Sequence, residues 1–82
     1  MTDLKAEVTF YTRAGCSLCE KAKAAILASG VTVTLTEIDI DDDPLLHDLY
    51  DDQVPVIFIN GREAFRYFVH PEEFVEFVRD NG

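Results

Sequence analysis

The chain has 82 residues, room for one domain (1–82) and not for two. Nearly half of them (48%) are apolar, with six Phe and three Tyr, which excludes the low-hydrophobicity composition of a disordered chain. The formal net charge of −9 argues against nucleic-acid and membrane-surface partners, because phosphates and anionic headgroups repel such a chain.

No apolar stretch approaches the roughly 20 residues needed to span a bilayer. The start, Met1 to Glu7, is polar and mixed in charge, unlike the basic and then apolar pattern of a secretory leader. A cytoplasmic location is therefore expected. The two cysteines, three positions apart, are too few and too close for a secreted disulfide scaffold.

Val8 to Tyr11 is β-branched and aromatic and predicts a strand. Thr12 to Gly15 is a turn-prone loop. From Ser17 to Ala28 the residues are mostly strong helix formers. Cys19, Ala22 and Ile26 share one face of that helix, and Gly30 is its natural stop. Val31 to Ile40 alternates as a strand, with Val31, Val33 and Leu35 on one face. The apolar phase then slips to Ile38 and Ile40, which predicts a bulge or a strand end near Glu37. Asp43 is the expected N-cap of a short helix with Pro44 in its first turn. Leu45, Leu46, Leu49 and Tyr50 are expected to supply its buried side.

Val54 to Ile59 is the most apolar run and predicts a buried strand. Asn60-Gly61 follows, a strong hairpin signal. Glu63 to Val69 is the expected return strand. Pro71 opens a last helix that buries Phe74, Val75, Phe77 and Val78 and ends at Asn81-Gly82. The predicted order is β–α–β–α–β–β–α. Its first βαβ unit makes a parallel pair with a right-handed crossover, and the hairpin adds antiparallel strands. The expected fold class is α/β, a four-stranded mixed sheet flanked by helices.

The chemistry concentrates at Cys16-Ser17-Leu18-Cys19, between a strand and a helix start. A helix N-terminus presents unpaired N–H groups and partial positive charge, which stabilise the reactive thiolate. Residues i and i+3 are neighbours there, so the two sulfurs can meet. Cys16, on the exposed cap, would attack a disulfide; Cys19, one turn in, would resolve the mixed disulfide. A structural role is disfavoured because closing so short a loop removes little unfolded-state entropy. A metal or iron–sulfur site is the stronger rival. It would need four ligands, and His47 and His70 do not form a second cluster with ligand spacing, although two chains could share a metal. Asp39, Asp41 and Asp43 match the start of a calcium loop, but Pro44 and Tyr50 stand where glycine and glutamate are required.

Phe10 to Cys19 resembles the active-site segment of the glutaredoxins, within the thioredoxin-fold superfamily, and more closely a glutaredoxin-like branch with a Cys-x-Leu-Cys dithiol. Glu37 to Ile40 resembles the second strand of that family, and Phe58 to Gly61 its hairpin. Val54-Pro55-Val56 resembles the Val-Pro step at which the fold places a cis-proline beside the redox cysteines. The resemblance implies that Cys16 and Cys19 are catalytic. It implies that Val54 and Pro55 offer free backbone groups to a substrate peptide or to glutathione as an added strand. It also implies that Arg13 lies near the glutathione carboxylate and that Tyr11 stands beside the active site.

Two departures and the local charge narrow this transfer. The Cys-x-x-Cys holds Ser17-Leu18 and no proline, so no reduction potential carries over from either parent family. Glutaredoxins carry a Gly-Gly pair and an acidic residue after the hairpin, to hold glutathione; here Ala64 to Val69 contains no glycine, and bulky side chains are expected to fill that space. Asp51 and Asp52 precede Gln53-Val54-Pro55, close to the dithiol, where negative charge disfavours a thiolate and repels glutathione. The expected function is a thiol–disulfide oxidoreductase acting on protein disulfides or mixed disulfides, as a monomer, without bound cofactor or metal. The alternatives are a metal- or Fe–S-binding module using the same cysteines, and a thioredoxin-like adaptor with little catalysis.

Overall fold

A computed structural model describes residues 5–81 of the chain. The polar start at Met1–Leu4 and the expected glycine stop at Gly82 lie outside the described residues. The elements run β1 (Lys5–Thr12), α1 (Ser17–Ala28), β2 (Thr32–Asp39), a 3-10 turn (Ile40–Asp42), α2 (Pro44–Tyr50), β3 (Val56–Ile59), β4 (Arg62–Arg66) and α3 (Pro71–Asn81). This is the predicted order. The sheet runs β2-β1-β3-β4, with β1 parallel to β2 and antiparallel to β3, and β3 antiparallel to β4.

One face of the sheet holds the main core. Ala6, Val8 and Phe10 of β1 and Ile57 and Ile59 of β3 point to it, as strand alternation requires. Cys19, Ala22 and Ile26 of α1 and Phe74 and Val78 of α3 close over them. Val75 and Phe77 of α3 are half-buried at its margin. The opposite face carries Tyr11 and Phe58, whose rings meet edge to face at 5.7 Å. Tyr50 of α2 packs on Tyr11 at 5.1 Å. Val56 and Ile40 are fully buried but stand apart from the main cluster.

Several expectations require correction. β1 begins at Lys5, three residues before the predicted start, because Lys5 to Glu7 pair in register with Thr32 to Thr34. Of the two outcomes expected near Glu37, β2 shows the strand end, at Asp39, and no bulge; its pairing with β1 is regular from Thr32 to Asp39. The apolar slip has another cause: Ile38 serves the second face, and Ile40 is buried in the turn beyond the strand. The bulge lies in the hairpin, between Ile57 and Phe58, where Ala64 is the extra residue of β4.

The return strand ends at Arg66 and not at Val69, because Tyr67 takes a left-handed backbone (φ 67°) that cannot continue a strand. Its N–H donates to the Pro55 carbonyl at 2.9 Å. The bulky pair Tyr67-Phe68 is exposed, Phe68 at 65%.

The α2 face is also narrower than predicted. Asp43 caps the helix through its carboxylate to the Leu45 N–H at 2.9 Å, with Pro44 in the first turn. However, Leu45 and Leu49 are 73% and 61% exposed, and only Leu46 and Tyr50 are half-buried. The pairs 46/50 and 45/49 lie on adjacent helix faces, and a helix of two turns turns only one of them to the sheet.

Asn60 and Gly61 make the hairpin turn with φ of 52° and 84°, as a two-residue primed turn requires. Asn60 also extends the sheet: its Oδ1 accepts from the Glu7 N–H at 3.0 Å, and its own N–H donates to the Glu7 carbonyl at 2.8 Å.

Candidate functional site

β1 ends at Thr12 and delivers the chain to a tight loop, Arg13-Ala14-Gly15. Gly15 has φ 75°, and a Cβ there would meet nothing within 4 Å. Glycine is therefore required by the backbone conformation and not by crowding. The Cys16 N–H donates back to the Arg13 carbonyl at 3.3 Å and closes the loop.

Cys16 is the N-cap of α1. Its Sγ accepts from the Cys19 N–H at 3.1 Å, and its carbonyl accepts from the Glu20 N–H at 3.2 Å. The two sulfurs are joined in a disulfide, with Cα atoms 5.2 Å apart. Cys16 is half-buried, whereas Cys19 is 3% exposed and belongs to the core. The asymmetry expected from the helix start is thus present in the geometry.

A cleft of about 230 Å³ opens beside the disulfide. Arg13, Gly15, Cys16, Glu20, Lys23 and Glu37 supply most of its polar lining. Arg13 is held firmly there. Its Nε donates to Asp41 Oδ2 at 3.2 Å, and its Nη1 donates to Asp51 Oδ1 at 2.9 Å and to the Asp51 carbonyl at 3.3 Å. The Asp41 hydrogen bond and charge, with a smaller contribution from Asp51, raise the guanidinium further above its ordinary range. His47 Nε2 lies 3.5 Å from Nη2 and 3.3 Å from the Asp51 carboxylate. Lys23 pairs with Glu37 at 2.8 Å.

The Val54-Pro55 peptide bond is cis. β3 begins opposite Tyr11, so this step enters the sheet at the end where the cysteine loop leaves it. Val54 packs half-buried against the core, and Pro55 is fully buried. No hydrogen bond to the Val54 N–H or C=O occurs among the described residues.

Cys16, Cys19 and Arg13 therefore lie together on one cleft, and Val54 and Pro55 approach the same end of the sheet. Tyr11 does not line the cleft; alternation turns it to the other face, onto Tyr50 and Phe58. Asp51 is bound to Arg13, which lines the cleft beside the disulfide. Asp41, His47, Lys23 and Glu37 were not foreseen. Arg13–Asp41 and Lys23–Glu37 join residues distant in sequence, which no local pattern signals, whereas His47 and Asp51 are four residues apart and could be paired from their spacing. His70 stands apart, with its carbonyl capping α3 through the Phe74 N–H. Among the described residues no group of three or more His, Cys, Asp or Glu side chains could hold a metal ion, and no helix is long and apolar enough to cross a membrane.

Comparison with known proteins places this geometry. Protein XcR50 of X. campestris is 26% identical with a TM-score of 0.81, over 92% of this chain and 99% of that one. Protein Ne2328 of Nitrosomonas europaea is 32% identical with a TM-score of 0.69, over 88% of this chain and 89% of that one. Glutaredoxin 1 of Francisella tularensis, 24% identical over 92% of this chain and 94% of that one, has a TM-score of 0.57 and shares the fold. No curated protein matches the chain. The family model described as Glutaredoxin-like domain (DUF836) matches residues 7–79, and the chain, with its thioredoxin-type sheet and helix-capping cysteine pair, belongs to that family.

Proposed function

We propose that the protein is a thiol–disulfide oxidoreductase that cycles Cys16 and Cys19 between dithiol and disulfide. The observation that carries this reading is the placement of the pair: Cys16 caps α1 with Sγ on the Cys19 N–H, while Cys19 is buried behind it. A donor and a helix dipole aimed at one sulfur favour its thiolate. The Cys16 thiolate attacks a sulfur of the substrate disulfide and expels the first thiolate, which takes up a proton. The Cys19 thiolate then attacks Cys16 Sγ, forms the intramolecular disulfide and expels the second. Two electrons pass from the cysteine pair to the substrate, which leaves as two thiols. A thiol or dithiol reductant returns the pair to its starting state, as in cytoplasmic redox homeostasis and electron transport.

The unpaired N–H and C=O of Val54, held by Pro55, would take a substrate strand of a protein disulfide. Arg13 would order the approach to Cys16, and Tyr11 would support the site from below through its aromatic packing. Glutathione is one candidate reductant, and no bound cofactor is needed.

The test is a redox titration with thiol alkylation and mass readout. One two-electron transition for the pair is expected. Cys19→Ser should accumulate a mixed disulfide on Cys16, and Cys16→Ser should abolish turnover. Independent oxidation of the two thiols, or zinc or iron bound stoichiometrically through them in the purified protein, would overturn the reading.

A further inference from the structure

Both cations that line the cleft beside the disulfide are already committed. A guanidinium has five N–H donors and grips a carboxylate through two parallel ones, along either the Nε/Nη2 edge or the Nη1/Nη2 edge. In Arg13 the first edge is blocked at Nε by Asp41, and the second at Nη1 by the Asp51 side chain and carbonyl. Nη2, which both edges share, faces His47 Nε2. Neither edge is open to an incoming carboxylate. The charge of Lys23 is balanced by its pair with Glu37. With Glu20 also in the lining, two cations stand against four carboxylates, those of Glu20, Glu37, Asp41 and Asp51.

Resting on the dithiol reading above, we propose that this cleft selects its disulfide by charge, with Asp41 and Asp51 as the specificity-determining residues. By occupying Arg13 they turn the one guanidinium beside Cys16 away from carboxylate recognition. The preferred substrates are disulfides whose flanking groups are cationic; those flanked by carboxylates, oxidised glutathione among them, are disfavoured. The charges of the lining itself balance, Arg13 and Lys23 against Glu20 and Glu37, so the negative excess comes from Asp41 and Asp51 on Arg13. An exposed ion pair is individually weak, and the effect sums these two.

The test uses prereduced protein in a single turnover, so that the two electrons come from Cys16 and Cys19 and no other reductant is present. Its oxidation is followed with cystamine (dication), hydroxyethyl disulfide (neutral) and oxidised glutathione (anion). Each rate is divided by that of free dithiothreitol with the same disulfide, which removes intrinsic leaving-group differences. The expected order is cation, neutral, anion, with a spread of about ten-fold at low ionic strength that narrows at high salt. Asp41→Asn with Asp51→Asn should raise the glutathione rate relative to the neutral disulfide by about five-fold, the scale of two exposed ion pairs. Glu76→Gln with Asp80→Asn, the same charge change on exposed α3, should leave that ratio where it was.

Equal or reversed rates with all three disulfides reacting would overturn the charge selection and leave the dithiol reading standing. An equal response to the α3 variant would overturn the assignment to Asp41 and Asp51. Failure to react with any of the three would remove the dithiol reading, and the selection with it.

Discussion

The two faces of the sheet differ in how completely they are closed. Under α1 and α3, Val8, Phe10, Ile57 and Ile59 meet Ile26, Phe74 and Val78, all at 1% exposure or less. Under α2 the contacts are a ring pair on Tyr11, half-buried Leu46, and the separately buried Val56 and Ile40, while Leu45 and Leu49 remain in solvent. The first face anchors Cys19 and so fixes the helix that presents Cys16. The second face carries the short elements whose acidic side chains reach Arg13. The packed core lies on one side of the sheet, and the aspartates that occupy Arg13 come from the elements on the other, so their effect on the cleft can change without loss of the core.

The largest effect expected of this contrast is at Phe74. Phe74→Ala should cost about 3–5 kcal/mol in urea unfolding, the range for emptying a fully buried aromatic site. Tyr50→Leu removes the ring contact with Tyr11 and should cost about 0.5–1.5 kcal/mol beyond any change in buried area. A loss at Tyr50 as large as that at Phe74 would break the contrast. Leu45→Ser and Leu49→Ser should each stay within about 0.5 kcal/mol of the parent, because exposed sites contribute little.

The smallest effect concerns acid. Arg66 hydrogen-bonds Glu63 through two nitrogens, at 2.8 and 2.9 Å, and holds its carboxyl below the ordinary value. A carboxyl lowered on folding adds stability above its unfolded pKa and loses it as pH falls through the folded value. Thermal melts should therefore show parent and Glu63→Gln separated slightly at pH 7 and converging in acid. A gap that widens in acid would contradict the pairing.

Legibility in the sequence followed the range of the interactions involved. The bounds of α1 were readable because helix formers, the face Cys19-Ala22-Ile26 and the break at Gly30 all agree over a dozen residues. Asp43-Pro44 and Asn60-Gly61 were readable because a cap and a primed turn are decided by adjacent residues. The early start of β1 and the bulge at Ala64 were not, since each depends on the register of a partner strand. The narrow buried side of α2 was also hidden. Its stripe of Leu and Tyr is wide enough for two faces, and only docking against Tyr11 selects one.

The cysteine pair divides along the same line. By itself the sequence determined that Cys16 and Cys19 meet at the start of a helix, because spacing and propensity act within one turn. Only the tertiary structure decided the company they keep. Arg13 is joined to Asp41 and Asp51 across 28 and 38 residues, and Lys23 to Glu37 across the parallel pair. Such contacts form when separate loops are carried to one end of a sheet, and no local pattern of residues encodes them.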